Sequence, residues 1–280
     1  LRMWSARSPK KLDLNSFGEG RYVQASEEIE LAETISKVLY PEDKHYEGKQ
    51  LRLKQHYFFT SASLQYIIKD FKKSFGDDFT KLPEKVVTIE GERTYEKISV
   101  LDCTSQFQER PTEAQLRNYV NRFSLLPEKV VIQINDTHPG LAIPELMRIL
   151  MDEEGLGWDE ASNIVQKTIA YTNHTIMAEA LEKWPVGMVE NQLPRLFQII
   201  TEMNRRLCER LWNKFPGDWD RIARMAIVSY DNVHMANMLV AMSYSVNGVS
   251  QLHGEILKED TFHDYHLVMP EKFCAITNGI

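Results

Sequence analysis

Two short stretches concentrate groups that could do chemistry. Asn135-Asp136-Thr137-His138-Pro139 places an amide, a carboxylate and an imidazole within four residues, and Tyr171-Thr172-Asn173-His174-Thr175 repeats an amide–imidazole pair. Sugar hydroxyls need paired donors and acceptors, which Asn, Asp and neutral His supply. Each stretch also has a plain structural reading. Asp136 or Thr137 serves as a turn or cap residue, and Thr175 caps a helix beginning at Ile176. Two such clusters, each following a strand-like run, could converge on one sugar, and the turn-and-cap reading stands beside that one. The remaining histidines lack metal-site spacing: His253, His263 and His266 form neither HExxH nor HxxEH. No phosphate-binding glycine loop and no G-x-S-x-G elbow is present.

The elements that must position these clusters alternate in period. Val130-Val131-Ile132-Gln133-Ile134 is rich in β-branched residues and reads as a strand covered on both faces. Thr168-Ile169-Ala170-Tyr171 and Ala226-Ile227-Val228 are further buried-strand candidates. Helical spacing predicts helices over 27–39, 50–71, 143–151, from Asp159, after the loop 172–174 through Trp184, and over the Met-rich stretch 234–244. Asn247-Gly248, taken alone, reads as a helix-entry turn. The alternation predicts an α/β doubly wound sheet with added helices, its ligands beyond the carboxyl ends of the strands. Asn135-Asp136 and Asn173-His174 fall there.

The bulk properties exclude several classes. The 280 residues carry a net charge of −7, which argues against nucleic acid as a partner. No apolar stretch is long enough to span a bilayer. Cys103, Cys208 and Cys274 are odd in number and far apart, as in the reduced thiols of a cytoplasmic protein. Leu1-Arg2-Met3-Trp4 and Phe273–Ile280 both look like interrupted strands, so the chain reads as truncated at both ends. Leu82-Pro83-Glu84-Lys85-Val86-Val87 recurs as Leu126-Pro127-Glu128-Lys129-Val130-Val131. The charged segment near 84–127 therefore reads as a surface insertion.

At several of these residues the chain resembles the glycogen/starch/maltodextrin (α-glucan) phosphorylases. The stretches that carry the resemblance include Leu1–Ala6, Lys37–Pro41, Glu47–Gln55, Gln133–Pro139, Ala142–Arg148, Ala170–Thr175, Glu179–Trp184, Val246–Val249 and Thr277–Ile280. They run in collinear order along nearly the whole chain apart from the 84–127 segment. The resemblance implies a Rossmann-like, helix-rich lobe of a two-lobed B-type glycosyltransferase, specifically part of its N-terminal, glucan-binding lobe. It implies phosphorolysis of α-1,4-glucan ends by inorganic phosphate, giving α-glucose 1-phosphate with retention. The cofactor it implies is pyridoxal phosphate, whose phosphate group acts as acid/base partner. That cofactor would be bound by a C-terminal lobe outside this chain, with no cofactor or metal ligand here. The resemblance also implies a homodimer for the full-length protein, and the isolated chain is expected to be inactive.

Site residues follow from the same resemblance. His174 matches the glucose-pocket histidine, with Asn173 beside it, and Asn278 and Val246 match further glucose-pocket positions. Asp136 and His138 match the loop lining the acceptor glucan path. Asp43 and Lys44 match a loop that gates the cleft, where the family commonly has Asn in place of Lys44. Ala178 stands where many relatives have Pro. The alternative from another class is a non-catalytic glucan-binding module. A hydrolase is disfavoured because no well-placed carboxylate pair emerges.

Overall fold

The structure, a computed structural model, describes residues 4–74, 85–89, 92–96, 122–177 and 180–277. The expected insertion near 84–127, the strand-like Leu1–Met3, Ala178 and Asn278 lie wholly or largely outside the described residues.

The described part is a helix-rich α/β protein built on a four-stranded parallel sheet. Its strands are β3 (Ile132–Asn135), β4 (Ile169–Thr172), β8 (Ser245–Gly248) and β9 (Phe273–Ala275), in that spatial order. A hairpin, β1 (Lys85–Ile89) and β2 (Glu92–Glu96), and a small antiparallel sheet of β5 (Lys183–Pro185), β7 (Asn232–His234) and β6 (Val228–Ser229) complete the strands. Every residue of β4 is buried, as its unbroken Ile-Ala-Tyr-Thr run requires of a central strand. β3 departs from expectation. It begins later, Val131 is 61 % exposed, and Gln133 and Asn135 face solvent, so one face alone is covered.

Helices surround the sheet, several of them through periodic apolar faces. In chain order they include α1 (Leu14–Gly18), α2 (Tyr22–Lys37), α3 (Tyr46–Ser74), α4 (Leu126–Lys129), α5 (Ala142–Arg148), α6 (Trp158–Thr168) and α7 (Val186–Gln192). α8 (Pro194–Lys214), α9 (Trp219–Met225), α10 (Met235–Met242), α11 (Gln251–Ile256) and α12 (His263–Val268) follow. α8 shows the rule most clearly. Leu196, Ile199, Ile200, Met203, Leu207 and Leu211 recur at three- and four-residue steps, and all are buried. In α10 the sulfur-bearing side chains Met235, Met238 and Met242 are buried, as core filler should be. α2 forms where the spacing predicts a helix but begins earlier and ends at Lys37; Ala25 is its one buried residue, and Val38 and Leu39, expected on its apolar face, lie beyond it and are exposed.

Three expectations are corrected. Ala226-Ile227-Val228 does not join the parallel sheet; Val228 enters the small antiparallel one, paired with Val233. The expected helix up to Trp184 does not form among the described residues: 175–177 are irregular, and Lys183–Pro185 pairs with β7 and is held extended. Asn247-Gly248 is not a helix entry but the carboxyl end of β8. Backbone packing explains the glycine. A Cβ on Gly248 would lie 2.9 Å from the Gly254 amide nitrogen, and one on Gly254 would lie 2.7 Å from the Ala275 Cβ. Helix α11 thus sits directly on the ends of β8 and β9.

Candidate functional site

The carboxyl ends of β3, β4 and β8 converge where the sequence places its polar clusters. Beyond β3 the chain turns at Asp136, which adopts a left-handed φ of 57°. Its amide still donates to the Thr172 carbonyl at 2.9 Å, so the β3–β4 ladder extends one residue past the strand. The Asp136 side chain then accepts from the His174 amide at 3.1 Å. This bond ties the two candidate loops together. An Asp tolerates the left-handed region better than most residues and supplies the acceptor that region aims at its neighbour. His174 is exposed, and its imidazole makes no hydrogen bond with the described residues.

Asn173 lies beneath His174 and is fully buried. Its Oδ1 accepts from the Thr175 amide at 3.0 Å and contacts His253 Nε2 at 3.1 Å, while its Nδ2 donates to the Tyr171 hydroxyl at 3.0 Å. The Val249 amide donates to His253 Nδ1 at 3.2 Å. With Nδ1 accepting, the proton sits on Nε2 and points at Asn173, which fixes a neutral tautomer. Burial, reinforced by His174, lowers the His253 pKa, with Asp136 opposing weakly. The Asn173 backbone donates to the Asn247 carbonyl at 2.9 Å, and Thr172 Oγ1 donates to Asn247 Oδ1 at 2.8 Å. The side chain of Asn173 therefore acts as a buried anchor that holds the His174 loop, with one amide hydrogen left over.

A second polar group borders the first through Thr137. Its hydroxyl lies 3.4 Å from both the backbone nitrogen and a side-chain oxygen of Glu182. Arg52, on α3, bridges Glu182 at 3.0 Å and Asp43 at 2.8 Å. Asp43 is thus held onto α3, against which its loop packs tightly: a Cβ on Gly48 would fall 1.9 Å from the Glu42 carbonyl oxygen. Lys44, in contrast, is exposed and pairs with Glu42 at 2.8 Å. The His138 ring stands 6.0 Å from that of His56, which in turn meets Trp184 edge-on. Burial, then Arg52 and His138, push the His56 pKa down to about 4. The His56–Glu182 approach of 3.9 Å is accordingly a contact with a neutral imidazole and not an ion pair. Burial raises the Glu182 pKa, against the pull of His138 and Arg52.

The structure thus brings together Asp136, Asn173 and His174, and links His138 and Asp43 to them through Thr137, Glu182 and Arg52. Val246 is fully buried in the body of β8, paired with Tyr171 and Phe273, so its side chain belongs to the core. Asn278 is beyond the described residues, although Ile276 donates to the Gly248 carbonyl at 3.0 Å and carries β9 out at the same end of the sheet. Sequence reading missed Arg52, His56, Glu182 and His253. The first three sit inside stretches of helical spacing that gave them no distinct role. His253 had a signal, three residues after the capping Ser250. Among the described residues no group of His, Cys, Asp or Glu is placed to hold a metal, and no helix is long and apolar enough to cross a membrane.

Comparison with known proteins supplies the family. The chain matches the carbohydrate phosphorylase family over residues 1–113 and 111–280. It is 44% identical over 283 residues to the muscle form of glycogen phosphorylase from Ovis aries and 44% identical over 284 residues to that from Homo sapiens. It is 43% identical over 284 residues to the brain form from Rattus norvegicus. Each alignment covers 100% of this chain and 29% of the relative, so the chain spans less than a third of the length of these proteins. A match of this extent and identity, running through both strand-exit loops, shows that the chain belongs to the carbohydrate phosphorylase family.

Proposed function

We propose that this chain forms the glucan-facing part of an α-1,4-glucan phosphorylase, which releases α-glucose 1-phosphate from glycogen or maltodextrin ends with retention. The observation that carries the reading is the His174–Asp136 bond. It joins two polar strand-exit loops into one surface, with an exposed imidazole above a neutral, hydrogen-bonded base of Asn173 and His253. Such a surface can donate to and accept from sugar hydroxyls without placing a full positive charge under the ring. In this reading His174 and Asn173 form the glucosyl side, with Val246 and Asn278 contributing to it. Asp136 and His138 line the acceptor path. Asp43, held by Arg52, and Lys44 belong to the loop that gates the cleft.

The whole enzyme, in this proposal, is a two-lobed B-type glycosyltransferase of which this chain is part of the N-terminal lobe. Its segment near 84–127 is a surface insertion, a reading that rests on the repeat of Leu82–Val87 as Leu126–Val131. Pyridoxal phosphate supplies the acid/base phosphate when bound. Lys272 does not fit the role of its imine lysine. Lys272, whose pKa is pushed down to about 8, lies at the opposite edge of the sheet, bonded to the Val240 and Ala241 carbonyls. In this reading the cofactor is held by the C-terminal lobe. A homodimer fits the exposed Val23, Leu31, Val38 and Leu39 around α2, and a cytoplasmic setting fits the free Cys208 and Cys274.

Assays on the chain alone and on a full-length protein containing it test the reading. The chain alone should release no glucose 1-phosphate from maltoheptaose and phosphate, and should bind maltoheptaose weakly in calorimetry. The full-length protein should be active, and His174→Ala in it should lower kcat/KM by about tenfold or more, the worth of one hydrogen bond to substrate. Tight glucan binding by the chain alone, with a full-length protein devoid of phosphorolysis, would instead establish a non-catalytic glucan-binding module.

A further inference from the structure

At the amino-terminal edge of the parallel sheet, away from the strand exits, a cavity of about 340 Å³ opens between α6 and the starts of β8 and β9. One wall is the polar face of α6: Asp159, Ser162, Asn163, Gln166 and Lys167, spaced as one helical stripe. The other holds Ser243, Tyr244 and Lys272. Two features of this wall call for a partner. The Ser243 hydroxyl is completely buried and has no hydrogen-bond partner. A buried hydroxyl left alone costs about 1–3 kcal/mol, so such groups are ordinarily satisfied. The Lys272 ammonium donates to the Ala241 carbonyl at 2.8 Å and the Val240 carbonyl at 3.2 Å, which leaves one of its three donors free.

The charge around that donor is one-sided. Lys272 has Arg210 as a like-charged neighbour, which Glu271 opposes. Lys167 adds a second cation and makes no ion pair with the described residues. Asp159, the one acidic lining residue, is already bound to Arg206 at 2.5 Å. Tyr244 offers a further hydroxyl. We propose that this cavity is a binding site for a small phosphate-bearing or similar oxyanion, held by Lys272, Lys167 and Ser243. The anion would satisfy the Ser243 hydroxyl, take the third Lys272 donor and supply the missing negative charge. Lys272 also neutralises the carboxyl end of α10, but that role uses only the two carbonyl contacts and explains neither the free donor nor Ser243. The site is independent of the glucan reading above.

Sulfate is a suitable probe because it remains a dianion throughout neutral pH. Titrated into the chain at fixed ionic strength and followed by amide chemical shifts, it should move the signals of Ser243, Tyr244 and Lys272. Lys272→Met should weaken binding by about tenfold or more, as loss of a charge-assisted bond implies, and exposed Lys167→Gln by about two- to fivefold. Because burial holds the Lys272 pKa near 8, affinity should fall about tenfold between pH 7 and pH 9. If Lys272→Met fails to fold, Lys167→Gln and the pH series still decide. Inorganic phosphate and α-glucose 1-phosphate, titrated next, distinguish a free ion from a sugar ester. Absence of saturable shifts at these residues, shifts confined to 136–138 and 173–175, or affinity indifferent to Lys167→Gln and to pH would overturn the assignment.

Discussion

Replacing Asn173 with Ala removes an amide that holds three partners. The Thr175 amide, half-exposed, can turn to water; the Tyr171 hydroxyl and the His253 Nε2 proton cannot, since Tyr171 is 0 % and His253 9 % exposed. Two buried polar groups are thus orphaned, at about 1–3 kcal/mol each, for an expected loss of about 2–6 kcal/mol. That is a large part of the ~5–15 kcal/mol that holds a domain folded. At roughly 2–4 °C per kcal/mol for a chain of this size, the melting temperature should drop by about 5–20 °C. Urea denaturation followed by circular dichroism should show a lower midpoint with an unchanged slope. A loss below about 0.5 kcal/mol would refute the anchoring role. If stability held and glucan affinity alone fell, Asn173 would be a direct sugar ligand and not the support of one.

Further consequences can be checked the same way. Tyr171→Phe removes one bond of that network and should cost about 1 kcal/mol, well under the Asn173→Ala loss. Gly48→Ala pushes a methyl into the Glu42 carbonyl, so amide exchange over residues 43–47 should accelerate and stability should fall by about 1–3 kcal/mol. The His56 pKa, near 4 when folded, lies below its unfolded value of 6.5. The unfolded chain therefore binds the extra proton first. The neutral ring's contribution is intact above pH 6.5 and is lost as pH falls toward 4, by up to about 3 kcal/mol. A His56→Phe protein should show a shallower fall in stability over that window; an equally steep one would remove His56 from the account.

Where the sequence could be read, local pattern and tertiary demand coincided. β4 is a run of apolar and β-branched residues that ends in Thr172, and the polar loop after it lies at the strand's carboxyl end as an α/β sheet requires. Helices α3, α6 and α10 carry faces that need no partner to be recognised. The failures have a common cause. Lys183–Pro185, Val228–Ser229 and Asn247-Gly248 are extended because another segment pairs with them, and no local spacing encodes a distant partner. The site follows the same division. Asp136, His138, Asn173 and His174 stand out as clusters in sequence, whereas Arg52 and Glu182, separated by 130 positions, acquire a role only when folding brings them to 3.0 Å.

The seat of helix α11 carries one more implication. Gly248 lets main chain touch main chain and Gly254 seats against the Ala275 methyl, so the spacing between that helix and the strands is fixed by atoms at or next to the backbone. Side chains elsewhere in the interior can swell or shrink over evolutionary time without shifting His253 against Asn173. Insulation of this kind would let the scaffold drift widely while the sugar-facing surface kept its dimensions. It also makes those two glycines the positions where even one added methyl would be felt at the site.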